Sequence, residues 1–230
     1  MFLAIDTVTD VCSVALANAE GKLLASLGQR QERGHAEAIV PMIARALQKA
    51  KTSPDALQGI VVTIGPGSFA GVRIGLSAAQ ALGIATGAKV LGLTSFEAAM
   101  GLAVLRNGDK LPRFVLVALS GRGDERAAEL FAPAQGKMPP WASRKGPKTL
   151  GPGEAERWLA GKSALIIGSA ADGIARGLPG ARVGGGLAWP RAEDLLRIKD
   201  FFPRARWGKR ASPFYLRPPD ARPSVIVPHG

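Results

Sequence analysis

The 230-residue sequence predicts an α/β protein in which a mixed sheet flanked by helices is laid out twice. Three observations carry that prediction. Up to residue 100 the pattern runs three strands, helix, strand, helix, strand, helix, and a mixed sheet with helices packed on it satisfies that order. A second, less regular set restarts with strand-like runs near residue 113. The composition, 47% hydrophobic and 21% charged, is that of a globular chain long enough to bury a sizeable core. No residue-level repeat accompanies the second set, so the duplication rests on element order.

Phe2–Asp6 (FLAID) is a short apolar strand ending in an acid. Cys12–Leu16 and Lys22–Leu27 alternate in polarity, and turn residues connect them, which predicts a three-strand meander. From His35 to Lys51, apolar Ile39, Met42, Ile43, Ala46 and Leu47 recur at helical spacing. Pro41 inside that run is expected to kink or restart the helix. The β-branched run Ile60–Ile64 predicts a strand, and "GPGSFAGVRIGLSAAQALG" from Gly65 to Gly83 leads into a helix over about Gly71–Gly87. Val90–Leu93 reads as a strand, and Ser95 as the N-cap of a third helix. Beyond residue 100, Arg113–Leu119 is a buried-type strand and Arg126–Phe131 its hairpin partner. Pro133–Gly153, with five prolines and four glycines, reads as a long loop. Glu154–Ala160 is a short helix, Ala164–Gly168 a strand and Ala192–Asp200 a helix, before a basic, Pro-rich, aromatic tail from Pro203.

Charge divides the chain. Residues 1–100 carry 8 Lys/Arg and 7 Asp/Glu, whereas residues 101–230 carry 22 and 11. A basic, loop-rich second half points either to a polyanion such as RNA or to a surface kept soluble by charge. The single cysteine, Cys12, excludes an internal disulfide and fits a reducing cytoplasm. The N-terminus lacks the basic region of a signal peptide, and Ile74–Ala88, the longest uncharged stretch, is too short to span a bilayer. The expectation is a soluble cytoplasmic protein.

The glycine stretch admits two readings. Gly65, Gly67 and Ser68 could cradle a phosphate where the following helix exposes its first N–H groups. The stretch is nevertheless neither a P-loop nor a dinucleotide fingerprint, since the required lysine and glycine spacings are missing. Alternatively, Gly71, Gly75, Ala79 and Gly83 recur every four residues and draw a stripe of small side chains along one helix face. Such a stripe admits close approach, either by this domain's own sheet or by a helix of another chain. Arg73 sits near the helix N-terminus, where a cation opposes the macrodipole and requires an anionic partner.

Asp6 ends the first strand and Thr7 follows it. They stand where phosphate and magnesium are held in actin and sugar-kinase folds, yet Asp6-Thr-Val-Thr-Asp10 lacks the usual glycine. Asp6 as a turn-capping acid is the alternative. With only His35 and His229, and Ile39 where a helical His pair would need its second member, no transition-metal site is expected. Cys12 lies in an apolar strand, and no nucleophile, base and acid group together in the sequence.

"FLAIDTVTDVCSVAL", "HAEAIVPMI" and "GPGSFAGVRIGLSAAQALG", in that order, resemble the TsaB (YeaZ) family, the dimerisation subunit of the bacterial tRNA threonylcarbamoyladenosine machinery. The resemblance is strong over residues 1–100, weak through the second half, and returns at Ser212–Arg217 (SPFYLR). It implies an actin/Hsp70/sugar-kinase-like fold of two ribonuclease-H-like subdomains. Residues 1–100 would carry the partner-binding helices, and residues 101–230 would be a degenerate, basic subdomain with a Pro/Arg-rich tail. It implies a catalytic partner, TsaD, with TsaE in the larger complex and a homodimer when the chain is alone. His35 matches the first metal-binding histidine of that partner, and Ile39 replaces the second. The interface would then involve His35, Ile39, Met42, Gly71, Arg73, Gly75, Ala79 and Gly83. The chain departs from the family pattern at Ala36 (usually Ser), Ala70 (usually Thr) and Ser120 (usually Asp). These losses weaken a catalytic or nucleotide role.

The leading expectation is therefore a non-catalytic subunit that activates TsaD for threonylcarbamoyl transfer to adenosine N6 of ANN-decoding tRNAs, with threonylcarbamoyl-adenylate as donor. No cofactor is assigned to this chain, and ATP or ADP with magnesium stays open at the subunit interface. One alternative is a stand-alone ATP-using kinase or hydrolase acting through Asp6, Thr7, Gly65, Gly67 and Ser68. Another is a general RNA-binding protein acting through the tail cations and Trp207, Phe214 and Tyr215; tRNA contact is open, either indirect or through the basic half.

Overall fold

Phe2–Asp6 (β1), Val11–Ala17 (β2) and Leu23–Arg30 (β3) form an antiparallel meander. Gly59–Thr63 (β4) then joins β1 in parallel, and Lys89–Leu93 (β5) extends the sheet beyond β4, giving the order β3-β2-β1-β4-β5. The computed structural model describes residues 1–30, 34–121, 123–134, 140–151, 153–159, 161–178, 180–184 and 189–216.

Side-chain size decides which face of this sheet meets which layer. Successive strand residues alternate between faces. Leu3, Ile5, Val14, Leu16, Ile60 and Val62 point to the outer side, against helices His35–Lys49 (α1) and Phe69–Thr86 (α2). Ala4, Ala15, Ala17 and Val61 point inward, where small side chains admit the central helices Ser95–Asn107 (α3) and Ala192–Ile198 (α6). The second sheet repeats the plan. Val115–Ser120 (β6), Arg126–Pro133 (β7) and Trp141–Leu150 (β8) are antiparallel, Leu165–Ile167 (β9) and Arg182–Val183 (β10) are parallel additions, and the order is β10-β9-β6-β7-β8. Helices Glu154–Leu159 (α4) and Ala171–Ala175 (α5) cover its outer face.

Read from the first strand of each half, the two sheets have one topology. The duplication inferred from element order is thus present in the fold. Each half also lends a helix to the other, since α3 packs on β6 and β7 while α6 packs on β1 and β2. The result is the actin/Hsp70/sugar-kinase type of α/β fold, two ribonuclease-H-like halves around a shared central layer. The expected boundary at residue 100 falls inside α3.

Several local expectations are corrected. Pro41 does not break α1, because Ile39, Met42, Ile43, Ala46 and Leu47 anchor the helix on the sheet and the proline lies on its exposed side. Ser95 does not cap α3. Thr94 does, its hydroxyl accepting from the Glu97 amide at 3.1 Å while the Glu97 carboxylate accepts from the Thr94 amide at 2.9 Å. Pro133–Gly153 is not all loop, since it contains the ten-residue strand β8. Gly146-Pro147 falls at a register shift of that edge strand, where a missing N–H costs no ladder bond. The short α5 and β10 carry no pattern that the sequence reading detected.

Candidate functional site

A cleft of about 1050 Å³ opens between the halves, beside the ends of β1 and β6. Its wall includes Asp6, Gly67, Ser68, Ser120, Trp189 and Tyr215. Asp6 ends β1 with a fully buried carboxyl group. One oxygen accepts from the Thr63 hydroxyl, the other from the Trp189 indole N–H at 3.1 Å, and the Val8 amide adds a further bond. Burial pushes its pKa up to about 6, against the lowering effect of those three donors. Asp6 is thus both a turn cap and a tie to the Trp189 segment. Ser120 ends β6 at the equivalent place in the second half and donates its amide to the Ser169 hydroxyl at 2.9 Å.

The expected phosphate cradle is only partly assembled. Gly67 and Ser68 face the cleft, whereas Thr7 turns into the α2 packing and donates to the Gly71 carbonyl at 2.6 Å. Gly65 packs under Phe214 and Val72. The loop's donors are largely engaged: the Ser68 amide gives to the Val8 carbonyl, the Gly71 amide to the Ser68 hydroxyl, and the Val72 amide to the Ser68 carbonyl. A magnesium nucleotide does not fit this donor set. Both Asp6 oxygens are already bonded, and a hydroxyl replaces the second carboxylate. Among the described residues, no three His, Cys, Asp or Glu side chains come together. Burial also pushes the Cys12 thiol up to about 11, well away from a nucleophilic thiolate.

The small-residue stripe is corrected in direction. Gly71, Gly75 and Ala79 are buried and face this chain's own sheet. A Cβ at Gly71 would collide with the Thr7 carbonyl, and one at Gly75 with the Thr7 hydroxyl. Gly83 packs near Val90 and Ala88. His35, Ile39 and Met42 are buried on the inward face of α1, with His35 Nε2 donating to the Thr9 carbonyl at 3.1 Å. Of the expected interface residues, only Arg73 is exposed.

The outer side of α2 is largely apolar, with Arg73 and Ser77 as its polar members, whereas that of α1 mixes apolar side chains with Glu37, Arg45 and Gln48. Val40 on α1 is 65% exposed and Ile84 on α2 is 87% exposed, with Phe69, Ala70, Ala81 and Ala85 also outward. α2 has the length and apolarity of a membrane span, yet it packs on β4 and β5. The sequence signal for this face was α2's lack of a polar side, which the inward stripe obscured.

The described part of the tail, 203–216, is fastened to the first half. Arg206 bonds Glu97 at 2.7 Å and the Gly92 carbonyl at 3.0 Å, Trp207 packs edge-on against Phe2, and the Phe214 amide donates to the Ile64 carbonyl at 2.7 Å. Tyr215 stacks on Phe69 and accepts from Arg73 Nε at 3.1 Å. Trp207, Phe214 and Tyr215 are therefore occupied within the chain and do not present a base-stacking platform. Arg122, Arg217 and His229 lie outside the described residues.

Comparison with known proteins adds a lineage. Residues 23–129 match the family described as TsaD: tRNA N6-adenosine threonylcarbamoyltransferase. The chain is 37% identical over 106 residues to the tRNA threonylcarbamoyladenosine biosynthesis protein TsaB of Escherichia coli, covering 46% of this chain and 45% of that one. It is 31% identical over 136 residues to the tRNA N6-adenosine threonylcarbamoyltransferase of Pelobacter propionicus, covering 53% of this chain and 40% of that one. The chain thus spans less than half the length of these curated relatives. In structure it is similar to YeaZ from Pseudomonas aeruginosa, with 29% identity and a TM-score of 0.75 over 94% of this chain and 99% of that one.

Proposed function

We propose that this chain is a member of the TsaB (YeaZ) family and a non-catalytic subunit that docks on a TsaD-type chain and activates it for threonylcarbamoyl transfer to adenosine N6 of tRNA. The observation that carries this reading is the largely apolar outer side of α2 beside Val40 of α1, with Val40 and Ile84 held in water on otherwise well-packed helices. Large exposed aliphatic side chains on adjacent helices mark a surface that another chain covers. The cleft supports the same reading from the opposite side. Its buried acid, Asp6, is engaged by Thr63 and Trp189, and Ser120 stands where a second carboxylate would be, so the chemistry is assigned to the partner. The proposed interface keeps the two helices implied by the family resemblance and moves from their buried stripe to their outer faces. In this reading the assembly works in the cytoplasm, TsaE joins it, and a homodimer covers the same face when the partner is absent.

The test is reconstitution. A TsaD-type chain from the same organism is given threonylcarbamoyl-adenylate and tRNA, and the rate of adenosine modification is measured with and without this chain. The expected result is a rate that rises with this chain and no transfer by this chain alone. Transfer by this chain alone, or a rate it leaves unchanged, overturns the reading.

A further inference from the structure

Arg73 stands on the outward side of α2, a helix that carries no acid. Its guanidinium lies 3.8 Å over the Phe69 ring, Phe69 stacks on Tyr215 with centroids 5.1 Å apart, and Nε donates to the Tyr215 hydroxyl at 3.1 Å. The tyrosine is itself fixed, because the tail that carries it is bonded to the Ile64 carbonyl through Phe214, and the Ala211 carbonyl accepts from Gln80 of α2 at 2.7 Å. A side chain that is normally free to sample many rotamers is thus clamped on two sides. Among the described residues no carboxylate pairs with it, and its Nη edge has no hydrogen-bond partner. A cation in the first turns of a helix opposes the macrodipole, so the arrangement is stabilised when an anion joins it.

We propose that the Nη edge of Arg73, pre-set by Phe69 and Tyr215, is the anchor that takes a carboxylate of the TsaD-type partner at the α1/α2 interface. This rests on the docking reading above and adds the residue and the chemistry that fix it. The planar fork matches a carboxylate in a two-point contact, and the clamped side chain loses little freedom on binding. The neighbouring Ala70, Ile74 and Phe69 provide the apolar rim that keeps water from such a contact. The occupant is a partner acid on charge grounds, since the exposed face of α2 offers a cation and no anion, and this position continues the apolar face that the partner covers.

Isothermal titration of the TsaD-type chain measures the dissociation constant for the wild type, Arg73→Gln, Arg73→Lys and Tyr215→Phe. Arg73→Gln is expected to weaken binding by about tenfold or more, as for a desolvated interfacial charge pair. Arg73→Lys retains the charge without the fork and is expected to lose most of that affinity, while Tyr215→Phe loses severalfold by releasing Nε. The thermal unfolding midpoint of isolated Arg73→Gln stays at the wild-type value, because the residue is exposed. Wild-type affinity in both Arg73 variants overturns the anchor and leaves the docking reading standing. No binding by the wild-type chain overturns both. If Arg73→Gln disrupts only a homodimer while partner affinity is intact, the carboxylate belongs to a second copy and the proposal fails.

Discussion

Asp6 holds a carboxyl group where its charge is costly. In the unfolded chain it titrates near 3.8, and in the fold its pKa is about 6. Between those values the folded state holds the proton that the unfolded state has released. Stability therefore falls as pH rises from about 4 to about 6 and levels off above, a loss on the order of 3 kcal/mol from this group. Asn in its place can still accept from Trp189 and exchange a bond with Thr63. Asp6→Asn should thus gain stability relative to wild type as the buffer moves from acid to neutral, read as the difference in urea midpoints across that range. An identical pH profile in both proteins would contradict the buried, proton-holding carboxyl. Gly75 makes a second claim at this scale. Its missing Cβ lets α2 rest on Thr7, so Gly75→Ala should cost about 1–3 kcal/mol in the isolated chain, as overpacking does. A wild-type urea midpoint for Gly75→Ala would return the stripe to the surface.

At the scale of elements, periodicity revealed which segments are helices but not which way they turn. The alternation in β1 and the apolar spacing of α1 were legible because each is a local pattern. The direction of the glycine stripe was not, because the contact that decides it, Thr7 on Gly71, joins residues 64 apart in sequence. The Asp6–Trp189 bond spans 183 residues and left no trace in either segment. β8 was hidden for a different reason. A Gly-Pro step that ordinarily ends a strand sits here at a register shift on a sheet edge, where the ladder does not need its N–H. Pro41 misled similarly, since burial of five apolar side chains outweighs one lost helix bond.

The whole molecule is two copies of one topology that exchange helices across a shared core, with a basic second half whose segment 203–216 is fastened back onto the first. At the ends of β1 and β6 the cleft holds a buried Asp6, engaged by Thr63 and Trp189, and a serine, Ser120. The molecule's remaining resource is surface, and the account rests on one surface above all. Light scattering on size-exclusion peaks, with this chain and a TsaD-type partner mixed at equal concentration, tests it most directly. The wild type should run as a heterodimer. The double variant Val40→Glu, Ile84→Glu should run apart from the partner while keeping the wild-type thermal midpoint, since both side chains are solvent-exposed in the isolated chain. Co-elution of that folded double variant with the partner, at the wild-type stoichiometry, would contradict the account.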